Sequence, residues 1–217
     1  MRFRKLLVLG VGAVSLLLGW AMYLKIPQRI YFKIMGEPTH PTIILFGDSQ
    51  VEHAHWRLLL SRQNVTNLGI HGNTTTTLCQ RIKNYQIESA KIWFLEGGIN
   101  DLPHTPTDSI IENYRCMIAH VRESGATPVI HLTLYTRPNI KCKKTNLPHL
   151  RDSIDVLNRK LRVLADAENL EIIDLNPLLA KDKVLEEKYT RDGLHLTHDA
   201  YLLWAAEIDK ILQNKGL

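Results

Sequence analysis

Residues 42–50 read TIILFGDSQ, a short apolar run that ends at Gly47 and passes into three polar residues. An unbroken apolar run of this length, rich in branched side chains, is typical of a strand buried on both faces of a parallel sheet. Four later segments repeat the pattern, at residues 65–69, 91–96, 128–134 and 170–174. The sequence therefore predicts a mainly five-stranded parallel sheet.

Helix-like segments alternate with these strands. They cover residues 51–62, 75–89, 108–124, 149–168 and 198–214. In the fourth segment the apolar residues recur at intervals of three and four, which marks one face of a helix. Alternating strands and helices favour an α/β fold, here a three-layer α/β/α sandwich around a doubly wound sheet. In such folds ligands bind beyond the carboxyl ends of the strands, so chemistry is expected where the strands end.

The chain begins with a charge-free apolar stretch, LLVLGVGAVSLLLGWAMYL, at residues 6–24. About twenty such residues in a helix span a hydrocarbon core of about 30 Å. Arg2, Arg4 and Lys5 precede the stretch and favour a cytoplasmic N-terminus. The stretch is therefore interpreted as a single transmembrane helix.

This interpretation divides the chain into three parts. Residues 1–33 form a cytoplasmic stub and transmembrane signal anchor, residues 34–41 a linker, and residues 42–217 an exported domain on the periplasmic or extracellular side. The alternative is secretion after the stretch is cleaved as a signal peptide. No small-x-small cleavage site follows it, which favours the anchor.

Composition limits the partners and cofactors. The formal net charge is +5. Much of the excess lies beside the N-terminal apolar stretch, which favours lipid headgroups over nucleic acid as a partner. The basic cluster Lys141, Lys143 and Lys144 is interpreted as a solvated loop.

The cysteines form neither a CxxC pair nor a Cys/His ligand spacing, so no metal site is expected. There are three: Cys79, Cys116 and Cys142. One disulfide is possible in an exported domain, but the sequence leaves its pairing open.

Four short segments at strand ends and in loops carry residues suited to acyl transfer. Ser49 follows the first strand and is a candidate nucleophile, although taken alone a serine here more often caps a helix. Gly72 and Asn100 follow the second and third strands and are candidate oxyanion donors, through a backbone amide and a side-chain amide. Asp192 lies three residues before His195, where a carboxylate can orient an imidazole. Together they supply a nucleophile, a base, an orienting acid and oxyanion donors.

Other histidines receive no catalytic role, because a lone histidine is more often structural or solvated. His53 and His131 are among them.

The four segments, in this order, resemble the signature blocks of the SGNH hydrolase superfamily, also called GDSL esterases and lipases. The GDS serine block matches residues 47–49, the GxND block residues 98–101 and the DxxH block residues 192–195. The glycine block matches best at Gly72, with Gly69 as the second choice. The resemblance implies a flavodoxin-like sheet and a serine esterase.

The resemblance also implies roles for single residues. Ser49, His195 and Asp192 would form the catalytic triad. Ser49, Gly72 and Asn100 would form the oxyanion hole, and no cofactor or metal would be needed. The partners would be a small-molecule or carbohydrate acyl ester and, through the N-terminal helix, a membrane.

The same resemblance indicates hydrolysis of short acyl esters, especially O-acetyl groups on carbohydrate. Acyl transfer to an envelope sugar, lysophospholipid or thioester cleavage, and a non-enzymatic scaffold are the alternatives. Residues 50–53, QVEH, depart from the family pattern after the serine. Residues there line the substrate pocket in such enzymes, so the family's substrates cannot be transferred directly to this chain.

Overall fold

The computed structural model describes residues 36–139 and 141–217. The predicted anchor in residues 1–33 lies outside these residues and stays a prediction. Within the described ranges, no helix is both long enough and apolar enough to cross a membrane. From Pro38 to Leu217 the chain forms one compact unit.

Five parallel strands form the central sheet, as predicted. They are β1 (Ile43–Gly47), β2 (Val65–Gly69), β3 (Ile92–Leu95), β4 (Thr127–His131) and β5 (Glu171–Ile173), in the spatial order β2-β1-β3-β4-β5. The order reverses after β1, so crossovers run to both sides of it. The sheet is therefore doubly wound, and its switch point lies beside the end of β1.

Seven helices surround the sheet in the described part of the chain. They are α1 (Ser49–Glu52), α2 (Trp56–Leu59), α3 (Thr75–Ile82), α4 (Thr107–Glu123), α5 (Leu150–Glu168), α6 (Asn176–Leu179) and α7 (His198–Asn214). A two-stranded hairpin, β6 (Ala180–Lys181) and β7 (Val184–Leu185), and two 3₁₀ turns, Lys143–Asn146 and Glu187–Tyr189, complete the connections. The hairpin, α6 and both 3₁₀ turns lie in regions for which the sequence predicted no regular element.

Both faces of the sheet are buried because successive side chains of each strand point to opposite sides. In β1, Ile44 and Phe46 pack with α3, α4 and α5, whereas Ile43 and Leu45 pack with α1, α2, α6 and α7. All four side chains are fully buried. The three-layer α/β/α architecture follows from this alternation.

The predicted helix at 51–62 is wrong in its bounds, because it begins earlier and is broken into α1 and α2. The break leaves backbone carbonyls that side chains satisfy instead. The Trp56 indole N–H donates to Val51 O at 2.9 Å, and Asn67 Nδ2 donates to Ala54 O at 3.0 Å. The predicted helix at 75–89 is likewise shorter and ends at Ile82.

A disulfide joins α3 to α4. It links Cys79 and Cys116, whose Cα atoms are 5.8 Å apart, and Cys142 is a free thiol. The structure thus selects one of the pairings that the sequence left open.

Candidate active site

Ser49 lies at the turn where β1 ends and α1 begins. Asp48 caps the helix, because its Oδ1 accepts from the Gln50 N–H at 2.9 Å. The capping role that Ser49 could have filled therefore belongs to its neighbour. The Ser49 hydroxyl is left for other partners in a site where the residue is 5% exposed.

The loop before α7 brings an imidazole to that hydroxyl. His195 Nε2 lies 3.2 Å from Ser49 Oγ, and His195 Nδ1 lies 2.7 Å from Asp192 Oδ2. When the proton is on Nδ1, the ring donates to Asp192 and Nε2 can accept from the serine hydroxyl. The structure thus places the three sequence-predicted side chains in one hydrogen-bonded row.

Asp192 is fixed by its own backbone neighbours. Its Oδ1 accepts from Leu194 N at 3.0 Å and from His195 N at 2.7 Å. Partial burial acts to raise the pKa of Asp192, but the hydrogen bonds from His195 and Leu194 outweigh it and hold the pKa below its ordinary value. The carboxylate is therefore ionised at neutral pH and can stabilise an imidazolium.

Gln50 connects α1, which carries Ser49, to the loop that carries His195. Its Nε2 donates to Leu194 O at 2.7 Å, and its backbone carbonyl accepts from the Tyr201 hydroxyl at 2.8 Å. The side chain is 3% exposed. Gln50 therefore ties α1 to the loop that carries His195.

Gly72 lies in the turn between β2 and α3. Its φ is +73°, a conformation that glycine adopts without strain, and no atom of the described residues accepts its N–H. Thr74 caps α3, so Gly72 precedes that helix instead of opening it. Gly69, the second choice, already donates its N–H to Asn67 Oδ1 at 2.9 Å, which favours Gly72 as the donor.

The side chain of Asn100 points towards the turn that holds Ser49. Its Nδ2 donates to Asp48 Oδ2 at 3.1 Å and to Asn73 O at 3.0 Å. Both amide hydrogens therefore have partners in the resting structure. A substrate oxygen that used this amide must share or replace one of those bonds.

Two buried acids lie behind Ser49. Burial raises the pKa of Asp48 to about 6 and raises the pKa of Glu96 well above its ordinary value. Glu96 Oε2 also accepts from the Asp48 N–H at 3.3 Å. Sequence analysis assigned no role to Glu96, because it only closes the predicted strand at residues 91–96.

Lys144 does not lie in a fully solvated loop, and that part of the prediction for Lys141, Lys143 and Lys144 is wrong. Its Nζ donates to Leu102 O at 3.2 Å. Burial lowers its pKa, while the nearby Asp101 carboxylate acts to raise it.

Within residues 36–139 and 141–217, no group of three or more His, Cys, Asp or Glu side chains is arranged to hold a metal ion.

The sequence matches one family model and several curated proteins, which share one name. The sequence model of the GDSL-like Lipase/Acylhydrolase family matches residues 45–203. A curated relative from Streptococcus agalactiae, named N-acylneuraminate cytidylyltransferase, is 23% identical over 158 residues, which is 72% of this chain and 35% of that protein. The chain thus spans about a third of the length of the curated relative.

Solved structures share the fold, and two of them are described here by their similarity to this chain. A GDSL-like lipase from Bacteroides thetaiotaomicron superposes with a TM-score of 0.72 at 18% identity, covering 88% of this chain and 98% of that one. A carbohydrate acetylesterase from Sinorhizobium meliloti gives a TM-score of 0.63 at 14% identity, covering 80% and 99%. At these identities the likeness shows a common architecture.

Proposed function

Because the chain belongs to the GDSL-like lipase/acylhydrolase family and is therefore an ester-bond hydrolase, we propose that it removes short acyl groups, chiefly acetyl, through a Ser49–His195–Asp192 triad. The observation that carries the proposal is the 3.2 Å between Ser49 Oγ and His195 Nε2, with Asp192 2.7 Å behind the ring. A hydroxyl, an imidazole and a carboxylate in this order are the arrangement that activates serine.

The reaction has two steps. His195 Nε2 takes the proton of Ser49 while Oγ bonds to the acyl carbon. The imidazolium, stabilised by Asp192, then gives that proton to the leaving alcohol as the ester bond breaks. Water attacks the acyl-enzyme with the same help from His195, which releases the acid and restores the serine.

Three donors serve the oxyanion in this mechanism. They are the Ser49 N–H, the Gly72 N–H and the Asn100 side chain. In the described chain no atom accepts either backbone N–H, so both are available to a substrate oxygen. Asn100 gives up one of its two resting hydrogen bonds and donates to the oxyanion instead. The new bond is the stronger of the two, because its acceptor carries negative charge.

Carbohydrate acetyl esters are the substrates that the comparisons support best. One structural neighbour is named a carbohydrate acetylesterase, and the curated relative is named for N-acylneuraminate, a sugar. A series of p-nitrophenyl esters tests the acyl length: a C2 optimum supports deacetylation. An optimum at C8 or longer contradicts it and favours a lipid ester.

Export of residues 42–217 behind the N-terminal anchor is part of the same proposal. The apolar stretch at residues 6–24 and the Cys79–Cys116 disulfide support it, because disulfides persist in oxidising compartments. Protease added to intact cells should digest the domain if it faces outward. Recovery of the domain in the soluble cytosolic fraction contradicts the proposal.

A fluorophosphonate probe tests the triad directly. The wild-type protein should be labelled at Ser49, and Ser49→Ala should lose both the label and turnover of p-nitrophenyl acetate while staying folded. Ser109→Ala, an exposed serine on α4, is the matched control and should keep both. Full turnover by Ser49→Ala overturns the assignment.

A further inference from the structure

Two cationic or protonatable side chains stand beside the catalytic imidazole. Arg191 precedes Asp192 and is fixed by its backbone, whose N–H donates to His195 O at 2.9 Å. His53 follows α1, and its backbone N–H donates to Ser49 O at 3.2 Å. The Arg191–His53 pair therefore comes from the two segments that carry the base and the nucleophile.

The two side chains contact each other and the site. Arg191 Nη2 lies 3.2 Å from His53 Nδ1, and the His53 ring centroid lies 4.9 Å from that of His195. Partial burial first, and then the charges of His195 and Arg191, lower the pKa of His53, so its Nδ1 is free to accept from Arg191. The His53 ring therefore lies between the Arg191 guanidinium and the His195 ring.

The charge of Arg191 has no counter-ion in the described part of the chain. Arg137, a half-exposed arginine whose backbone N–H donates to Gly193 O at 2.8 Å, pairs with Glu187 at 3.3 Å. Among the described residues, no carboxylate forms an ion pair with Arg191. Glu52, next to His53, is engaged by His71, whose N–H donates to it at 2.9 Å. An exposed guanidinium at the edge of the site is therefore left without an anion.

Arg191 Nη2 and the His53 ring lie beside the imidazole of His195, at the edge of the site where an ester substrate would bind. A guanidinium is suited to bind a carboxylate with two parallel hydrogen bonds. An anionic group on the substrate would therefore find a partner at this edge.

We propose that Arg191, oriented by His53, binds a carboxylate of the substrate, so that the preferred substrates are acyl esters of acidic molecules such as sugar acids. This inference rests on the proposed function, because it assigns a substrate class to the same site. Arg191 is then a specificity-determining residue beside the triad.

A pair of esters that differ in one charge tests the inference. The esters 3-acetoxybenzoate and 3-acetoxybenzamide share the acetyl group and the phenolic leaving group, and only the first is an anion. The wild-type enzyme should prefer the carboxylate in kcat/KM by about tenfold, as one charge-assisted hydrogen bond at an exposed site provides. The preference should decrease as salt is added.

Variants assign the preference to the residue. Arg191→Gln should bring the ratio of the two kcat/KM values close to one, and Arg191→Lys, which keeps the charge but not the planar fork, should retain part of it. Arg137→Gln, the matched control, should leave the ratio at its wild-type value.

The outcomes separate the two proposals. Equal turnover of both esters by a wild-type enzyme that the fluorophosphonate still labels overturns the carboxylate site alone. An unchanged ratio in Arg191→Gln has the same meaning. A wild-type protein that turns over neither ester and takes no label overturns the triad and the carboxylate site together.

Discussion

At Asn100, two resting hydrogen bonds and one proposed catalytic bond depend on the same amide group. Asp48 Oδ2 and Asn73 O hold the side chain in place before substrate arrives. In the proposed mechanism one of these bonds is given up to the oxyanion, and the other keeps the amide oriented as charge develops.

Removal of this donor gives the first prediction. Asn100→Ala should lower kcat on p-nitrophenyl acetate on the order of a hundredfold, because the proposed oxyanion hole loses one donor. Asn113→Ala, whose amide donates only to the Thr75 and Thr76 hydroxyls, is the control and should stay near wild type. Steady-state kinetics decide, and an unchanged kcat in Asn100→Ala removes the residue from the oxyanion hole.

His131 gives a pH prediction at the same scale. The ring is fully buried, its Nδ1 accepts from the Trp204 indole at 3.1 Å, and burial lowers its pKa from 6.5 to about 3. The folded protein therefore keeps this ring neutral, while the unfolded chain protonates it below pH 6.5. Stability from this residue is lost as pH falls from 6.5 towards 3.

The comparison with His131→Gln isolates that effect. Between pH 7 and pH 5 the unfolding free energy of the wild type should fall by about 2 kcal/mol more than that of the variant. Urea titrations at both pH values measure the difference. Parallel losses in the two proteins show that His131 is not held neutral.

The sequence predicted the site residues that lie close together along the chain. It did not predict those whose partners are distant in sequence. Asp192 and His195 stand three apart and so could be paired from the sequence. Gln50 binds Leu194 O across 144 residues. No local pattern records that bond, and the contact of Lys144 with Leu102 was missed for the same reason.

At the scale of elements, the sheet was predictable and the helix bounds near the site were not. Buried parallel strands are continuous apolar runs, which are visible in a sequence. The break between α1 and α2 depends on Asn67 and Trp56, whose side chains satisfy Val51 O. Tertiary hydrogen bonds of this kind override a helical pattern.

The contact between β2 and α1 gives the third prediction. A Cβ on Gly69 would lie 2.2 Å from Glu52 N, a backbone atom of the helix that carries Ser49. Gly69→Ala should therefore destabilise the fold by about 2 kcal/mol or more and lower kcat as well, because α1 must move. Thermal unfolding and kinetics on p-nitrophenyl acetate measure both effects.

A second glycine separates steric overlap from backbone strain. Gly125 has φ +78° and open space around its missing Cβ. Gly125→Ala should cost about 1 kcal/mol through strain and leave kcat unchanged. Equal behaviour of the two variants contradicts the steric explanation for Gly69.

At the scale of the whole molecule, the disulfide limits how far the unfolded chain can spread. Cys79 and Cys116 are separated by 37 residues and join two helices on one side of the sheet. Cross-linking them reduces the conformational freedom of the unfolded state. The sequence could not choose this pair, because the geometry that brings α3 to α4 arises only in the fold.

The fourth prediction follows from that cross-link. Replacing both cysteines by serine should lower the unfolding free energy by about 2–4 kcal/mol, with turnover little changed at 25 °C. Cys142→Ser, which removes the free thiol, is the control and should leave stability near wild type. A double variant as stable as the wild type shows that the bridge does not stabilise the fold.

The residues of the candidate site are synthesised at different times during translation. Ser49 and His195 are separated by 146 residues, and the imidazole belongs to the loop before α7. In the proposed mechanism the serine is therefore synthesised long before the base that activates it. A nascent or truncated polypeptide that stops short of His195 then carries an unactivated serine and cleaves no ester.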